Sequence, residues 1–213
     1  LSLAFLAAII AVALAIILSY AKRSQPIKPV RTAIAMAGFG YALPGTIIAI
    51  GVLIPLAWID HRLIALFENL GWANPGLLLS GSLVALIFAY TVRFLAVALG
   101  SVQSGLEKIK PSLDHAARSM GHSPLAILSK IHVPLMRSSI LTAVLIVFVD
   151  VLKELPATLI LRPFNYNTMA VRVYELASDE RLTDAAPAAI MIVLVGLIPV
   201  LLLHASIAHR RPH

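Results

Sequence analysis

Residues 111–134 read PSLDHAARSMGHSPLAILSKIHVP and form a polar stretch in a chain whose 213 residues are 60% hydrophobic and 13% charged. A soluble domain of this size carries about 25% charged residues. The composition therefore indicates an integral membrane protein, and the polar stretch is expected at the membrane surface. A short, capped element in that position suits docking onto another protein better than catalysis.

The polar stretch carries the start and stop signals of two short helices. Ser112 is a candidate N-cap of the first helix, and Asp114 in its first turn complements the helix dipole. Gly121 suits the left-handed conformation that ends many helices. Ser123-Pro124 is a second start signal, and a proline ten residues later closes the second helix. The pattern predicts two helices that meet at a bend at Gly121.

Five apolar stretches surround this element, and each is long enough to cross a bilayer core of about 30 Å as a helix. They are Leu1–Tyr20, Ile34–Ile59, Gly76–Gly100, Ser138–Leu161 and Ala185–Ala205. Long continuous runs without alternation favour helices over strands. We predict an all-α, polytopic membrane protein of five transmembrane helices, with the bent cytoplasmic helical element between the third and the fourth.

The N-terminal end of the chain has an unusual start. It begins at Leu1, without methionine, inside an apolar run that lacks the basic start and the cleavage site of a signal peptide. We therefore expect a piece of a longer protein. We expect residues 1–20 to form a transmembrane helix of a truncated N-terminus, and residues 21–213 to form a membrane core that includes the element at 111–134.

Lysine and arginine are distributed unevenly between the loops. Eleven lie before the second span, between the third and fourth, and after the fifth, whereas four lie in the other two loops among six acids. The positive-inside rule then predicts an external N-terminus and places the bent element and the C-terminus in the cytoplasm. Because the basic residues alternate between loops and do not form one patch, nucleic-acid binding is not expected.

The chain lacks the residues that several kinds of catalysis and metal binding require. The chain has no cysteine, and its seven histidines are scattered. The phosphate-binding loop, the His-Glu-x-x-His motif and the Gly-x-Ser-x-Gly motif do not occur. We predict no catalytic residue, no metal site and no cofactor bound by this chain, which disfavours a membrane enzyme.

Four charged residues, Arg93, Asp150, Lys153 and Glu154, lie inside the predicted spans. Charges at such depth rarely face lipid. Asp150 and Lys153 are three residues apart and can pair, while Asp150 and Glu154 repel unless a cation such as Arg93 lies near them. Two interpretations stay open: these charges and Pro156 line a translocation path or gate, or they form a structural ion-pair network.

The second span is rich in helix-breaking and small residues. They are Gly38, Gly40, Pro44, Gly45 and Gly51. Small residues allow close packing of helices, and proline kinks a helix. Close packing and a hinge are both open interpretations of this span.

The polar stretch also resembles a known signature, the EAA motif of permease subunits of ABC importers. That motif is Glu-Ala-Ala, three residues, Gly, nine residues, then Ile-x-Leu-Pro. The residues in register with it are Ala116, Ala117, Gly121, Ile131 and Pro134. His115 stands where Glu is usual, with Asp114 beside it, and Val133 replaces Leu.

The resemblance extends to other parts of the chain. The segments similar to ferric-iron ABC permeases are Tyr41–Gly45, Tyr90–Val97, Lys153–Leu159, Leu161–Phe164 and Val171–Ser178. In that family one polypeptide carries two such halves, and this chain is similar to the C-terminal half. The resemblance implies a type I ABC importer permease fold in the bacterial inner membrane.

The resemblance also implies partners. A cytoplasmic ABC ATPase dimer, which holds ATP and Mg²⁺, is expected on residues Asp114, His115, Ala116, Ala117, Gly121, Ile131 and Pro134. A periplasmic solute-binding protein is expected on Arg172, Tyr174 and Glu175, unless these belong to an ordinary solvated helix that follows Thr168. A second permease half and membrane lipid complete the set.

The function that the resemblance implies is ATP-driven import of ferric iron by alternating access. Permeases for thiamine, polyamines, sulfate and other small solutes share the signature and stay as alternatives. An ion-coupled transporter that uses the charges of the fourth span is a further alternative, but it leaves the bent element without a role.

Overall fold

The computed structural model describes residues 1–208, with Pro199 and residues 202–208 described by their backbone alone. Within this part the chain is helical and contains no strand. The helices are α1 (Ser2–Ser24), α2 (Lys28–Ala42), α3 (Gly45–Asn69), α4 (Leu83–Glu107), α5 (Pro111–Ser119), α6 (Pro124–Ile127), α7 (Val133–Leu135), α8 (Arg137–Leu152), α9 (Pro156–Leu161), α10 (Met169–Ser178) and α11 (Leu182–Ala208), and a π-helical turn, Leu128–His132, joins α6 to α7.

Three helices of the described part, α1, α3 and α4, are long and apolar enough to cross a membrane. The pair Pro124–Leu135 and Arg137–Leu152, bent by 77°, adds a fourth if it counts as one span, and the described apolar part of α11 is the shorter Leu182–Ile198. The all-α class with several spans is therefore confirmed, whereas the count of five spans stays a prediction. Arg210 and Arg211, two of the charges used for the topology, lie outside the described residues.

The second predicted span, Ile34–Ile59, is not one continuous helix. Leu43 has extended backbone angles and Pro44 is the N-cap of α3, so the chain breaks between α2 and α3. Proline disfavours a helical conformation in the residue before it, which explains the break. After the break α3 runs ten residues beyond Ile59, to Asn69.

The third predicted span begins at Leu83, later than the expected Gly76. Gly76 and Gly81 have φ of +69° and +71°, a left-handed conformation that interrupts a helix. The buried carboxylate of Asp60 accepts hydrogen bonds from the backbone N–H groups of residues 78–80, which holds this segment in a non-helical path. Ser82 then caps α4 by accepting from the N–H of Ala85.

The fourth predicted span, Ser138–Leu161, is also interrupted. The helix α8 ends at Leu152, and α9 starts at Pro156 after a short non-helical connection. Pro156 has no N–H to donate, so it starts a helix readily but cannot continue one. Lys153 and Glu154 therefore lie at a helix break and not within a continuous span.

A seam of small residues packs one face of α1 against α4. Alanines at positions 4, 7, 8, 11 and 15 of α1 are buried, as are those at 85, 89 and 98 of α4. Helices α1, α4 and α8 pack against one another in pairs. Small residues allow helix backbones to approach closely, which is how helices associate in lipid. This packing brings the C-terminal ends of α1 and α4 together beside α5.

Candidate functional site

The polar stretch folds as two helical arms joined at Gly121, and we call residues 111–135 the bent element. Gly121 has φ of +79°, as its C-terminal position predicts. The second arm starts as expected, because the hydroxyl of Ser123 accepts from the N–H of Ala126 at 3.3 Å and Pro124 is the first helical residue. The prediction of Ser112 as a cap is wrong: α5 starts at Pro111, and Lys110 is the N-cap without a side-chain hydrogen bond.

The second arm continues through the π-helical turn to Leu135. Pro134 therefore lies within its last turn, one residue before the end. At Met136 the chain turns, and α8 leaves at 77° to the second arm. The bent element is thus set at a steep angle to the membrane helix that follows it.

The residues predicted to couple to an ATPase divide into two groups. His115, Ala116, Gly121 and Pro134 are exposed. Asp114 is 7% exposed and Ala117 is 1% exposed. Ile131 is half-buried against a cluster of Tyr20, Ala117 and Ile127. The buried members face α1 and hold the bent element in place, which leaves the exposed members for contact with a partner.

Asp114 is the centre of a polar cluster that the sequence analysis missed. Nε of Arg23 donates to Oδ2 of Asp114 at 2.6 Å, and Nε2 of His132 lies 2.6 Å from Oδ1. Arg23 also donates to the backbone oxygens of Leu106 at 2.7 Å and Ile109 at 2.8 Å. In the sequence Arg23 indicates only the membrane orientation, as one of the basic loop residues. Because it lies 91 residues from Asp114, no local pattern predicts the pair.

The environment of Asp114 favours its charged form. Burial opposes ionisation, but the hydrogen bond from Arg23, the nearby His132 and the charge of Arg23 outweigh it. The pKa of Asp114 is therefore held below its usual value of 3.8. Asp114 is an ionised anchor of the bent element at neutral pH.

Arg93 and Glu154 form an ion pair where two helix breaks meet. Nε of Arg93 lies 3.0 Å from Oε2 of Glu154, but its N–H does not point at that oxygen, so the contact is an ion pair and not a directed hydrogen bond. Nη1 of Arg93 donates to the backbone oxygen of Leu43 at 2.7 Å. Oε1 of Glu154 accepts from the N–H of Ala157 at 3.2 Å, in the first turn of α9. The pair thus satisfies backbone groups at both breaks.

Gly45 packs directly against this ion pair. A Cβ atom at Gly45 would lie 2.4 Å from Oε1 of Glu154 and 3.4 Å from Nη1 of Arg93. Close packing, one of the two open interpretations of this span, is therefore present at Gly45, where any Cβ atom would force the carboxylate of Glu154 to shift.

The second pair of membrane charges lies apart from the first. Nζ of Lys153 is 2.8 Å from Oδ1 of Asp150, the pairing that their spacing predicts. The side chain of Lys153 is 64% exposed, whereas Asp150 is buried. The expectation that Arg93 lies between both carboxylates is therefore met only for Glu154, since Asp150 takes Lys153 as its partner. Pro156 begins α9 directly after Glu154 and Leu155.

The third group of predicted site residues lies on α10. The hydroxyl of Thr168 caps this helix by accepting from the N–H of Val171. Arg172 is exposed and Tyr174 is 48% exposed. Glu175 instead pairs with Arg162 at 3.0 Å and accepts from Asn167 at 2.8 Å. The sequence analysis missed these two partners, which tie α10 to the loop that precedes it.

In the part of the chain that the structure describes, no three His, Asp or Glu side chains are grouped closely enough to hold a metal ion. The site is instead made of ion pairs, helix breaks and an exposed bent element, which are features suited to movement and docking.

A family model described as "Binding-protein-dependent transport system inner membrane component" matches residues 30–212. The chain belongs to this family. Its members are transport subunits, and the several apolar helices of this inner membrane component agree with a multi-pass location in the inner membrane.

Two curated relatives have names that specify cargo. The chain is 29% identical over 181 residues to the Fe(3+)-transport system permease protein FbpB 2 of Haemophilus influenzae, covering 75% of this chain and 36% of that protein. It is 26% identical over 120 residues to the putative 2-aminoethylphosphonate transport system permease protein PhnV of Salmonella typhimurium, covering 56% of this chain and 45% of that one. The chain thus spans less than half the length of either relative.

A solved structure supports the fold of this inner membrane component. The MetNI methionine ABC transporter, in an inward-facing conformation, matches with a TM-score of 0.62 at 17% identity, covering 96% of this chain and 91% of that chain. The fold is therefore that of an ABC importer permease, as the resemblance implied.

Proposed function

We propose that this permease is the transmembrane subunit of an ATP-driven, binding-protein-dependent importer that works by alternating access. A cytoplasmic ATPase dimer would carry ATP and Mg²⁺ and dock on the bent element. A second permease half, in the same polypeptide or as a second copy, would complete the translocation path. The C-terminus would lie in the cytoplasm with the bent element.

The observation that carries this proposal is the exposed face of the bent element. Met120 is 70% exposed and Leu125 is 73% exposed, on either side of the bend, and Leu113 is 44% exposed. A polar surface element gains nothing from apolar side chains in water, whereas an apolar group framed by polar residues is typical of a protein interface. His115 and Ala116 are exposed on the same element.

The test is co-purification of the ATPase with variants of the whole transporter. Leu125→Asp places a charge in the proposed interface, and we expect it to reduce ATPase retention at least about tenfold, the loss that follows from burying an unpaired charge. Leu70→Asp is the matched control, since Leu70 is 54% exposed at the end of α3 and away from the bent element. Equal retention by both variants would refute docking on this face.

Ferric iron is the proposed cargo. The name of the iron-transport relative and the resemblance of residues 153–159 and 171–178 to ferric-iron permeases support it. The phosphonate-transport relative favours a second candidate, 2-aminoethylphosphonate. Uptake of each solute by proteoliposomes with ATP inside separates the two, and an absence of ATP-dependent iron uptake would exclude iron.

The ion pair of Arg93 and Glu154 is the proposed gate on the translocation path, with Asp150, Lys153 and Pro156 beside it. Its support is the meeting of two helix breaks, because short helix segments can move where a continuous helix cannot. Binding-protein docking is proposed at Arg172 and Tyr174, with Glu175 as the residue that holds α10. In uptake assays Glu154→Gln should slow transport while ATPase retention stays unchanged, and full transport by that variant would refute the gate.

A further inference from the structure

We propose that Arg23, Asp114 and His132 form a latch that fastens the bent element to the cytoplasmic end of α1, so that both move as one rigid unit during transport. This inference rests on the proposed function, because it concerns how a movement of the bent element reaches the membrane. It assigns Asp114 a positioning role within the permease instead of contact with the ATPase.

Arg23 connects three segments through its guanidinium group. Its three nitrogens donate separately to Asp114 of α5, to Leu106 at the end of α4 and to Ile109 in the connection to α5. Its side chain is 16% exposed. A planar guanidinium with every nitrogen engaged holds its partners in a fixed geometry, which a flexible lysine cannot do.

Asp114 carries the connection across the bend. One carboxylate oxygen binds Arg23, and the other accepts from Nε2 of His132, a fully buried residue on the second arm. The two arms are also joined by the short turn at Gly121, which has open space around it, and by packing of Ala117 against Ile127. The hydrogen bond between Asp114 and His132 adds a directional contact that helps to fix the angle between the arms.

Apolar packing encloses the latch. The ring of Tyr20 lies 5.3 Å from the ring of His132, and Tyr20 packs with Ala117 and Ile127 in one cluster. Hydrogen bonds between charged groups are stronger in such a low-dielectric setting, and a partner left alone there is costly. The bent element is therefore bound to α1 by both polar and apolar contacts.

The bent element carries exposed apolar side chains as well as the buried latch. Met120 and Leu125 are exposed, whereas Asp114 is buried and bonded to Arg23, so in the proposed unit a movement of the element is passed through Asp114 to Arg23. From there it reaches α1, whose alanine seam packs along α4. Arg23 and Tyr20 precede residue 30, where the family match begins, so the α1 side of this connection lies outside the matched range.

The first test compares Arg23→Ala with Lys22→Ala in the whole transporter with its ATPase, reconstituted in proteoliposomes. Lys22 is the adjacent basic residue of the same helical turn and is exposed. For Arg23→Ala we expect the number of solute molecules transported per ATP hydrolysed to fall at least about tenfold, with ATPase retention unchanged. For Lys22→Ala we expect no change. An unaltered transport ratio in Arg23→Ala would overturn the latch.

A second test does not depend on the folding of Arg23→Ala. The chain has no cysteine, so Tyr20→Cys with Ile127→Cys introduces a single pair across the cluster. Both positions are buried, so the pair is joined directly as a disulfide by mild oxidation. This should leave the uptake rate of the double variant within about twofold of its reduced value, because the two elements stay together. Loss of uptake on cross-linking would show that they separate and would refute the rigid unit.

The outcomes distinguish a failure of the latch from a failure of the proposed function. If Leu125→Asp retains the ATPase, the docking face is wrong whatever Arg23 does. If Leu125→Asp loses the ATPase while Arg23→Ala transports with the normal ratio, docking stands and the latch is wrong.

Discussion

Gly40 of α2 lies directly against the backbone of α4, so adding a single methyl group by Gly40→Ala should lower the free energy of unfolding. A Cβ atom on Gly40 would lie 2.1 Å from the backbone oxygen of Val92 and 3.1 Å from its carbonyl carbon. The neighbour is backbone and cannot rotate away, so α2 must move by roughly 1 Å. Two positions earlier on the same helix, Gly38 has nothing within 4 Å of its Cβ position.

The two glycines allow the packing cost to be separated from helix propensity. Replacing glycine by alanine inside a helix stabilises it by about 0.5–1 kcal/mol. Overpacking a close contact costs about 1–3 kcal/mol. Gly38→Ala should therefore raise the free energy of unfolding, while Gly40→Ala should lower it by a net amount of about 1–2 kcal/mol.

The assay is thermal unfolding of the two variants in the same detergent. A separation of about 2 kcal/mol corresponds to a Tm difference of about 4–8 °C for a chain of this length, with Gly38→Ala the higher. Wild type should lie between them. A Tm of Gly40→Ala equal to or above that of Gly38→Ala would refute the close approach of α2 to α4.

Three further outcomes follow from the same structure. Gly45→Ala should displace the carboxylate of Glu154, because the new Cβ would lie too close to its Oε1, and so lower the uptake rate. Gly51 has open space around it, so Gly51→Ala should transport at the wild-type rate. Equal uptake rates for the two variants would contradict the close packing at Gly45. Asp60→Asn should lower Tm by roughly 4–12 °C, which corresponds to a loss of about 2–3 kcal/mol. The reason is that this fully buried carboxylate accepts three backbone hydrogen bonds and one from a serine hydroxyl. An unchanged Tm would show that the conformation of residues 78–80 does not depend on the Asp60 carboxylate. The pKa of Asp114 is lowered in the folded protein, so the stability that the ionised carboxylate adds is complete above its unfolded pKa and is lost as pH falls through its folded pKa. The Tm difference between wild type and Asp114→Asn should therefore be constant from about pH 8 to 5 and shrink below about pH 4. A difference that shrinks when the pH is raised would contradict this sign.

Local signals in the sequence predict the bent element well. The left-handed Gly121, the cap at Ser123 and the helix start at Pro124 all depend on neighbouring residues, and the structure has each of them. The pairing of Asp150 with Lys153 is likewise set by their spacing within one helix. Each prediction needed only the residues within one turn.

Predictions that needed tertiary contacts were incomplete. The guanidinium of Arg23 meets Asp114 only because the alanine seam brings α1 beside α4, and no local pattern records that contact. Continuous apolar runs also concealed the breaks at Pro44 and Pro156, since hydropathy does not register a missing N–H. The restriction that proline places on the residue before it, at Pro44, and its preference for the first helical position, at Pro156, were the signals that could have located these breaks.

The alanine seam of α1 has a consequence for where this protein can be cut. A chain shortened to the family boundary at residue 30 would expose the small-residue face of α4 to lipid and leave Asp114 without its cation. A buried carboxylate that loses its partner is destabilising by about 3–5 kcal/mol. We therefore expect the folding unit to include α1, which precedes the matched range, so expression of this permease should include that helix.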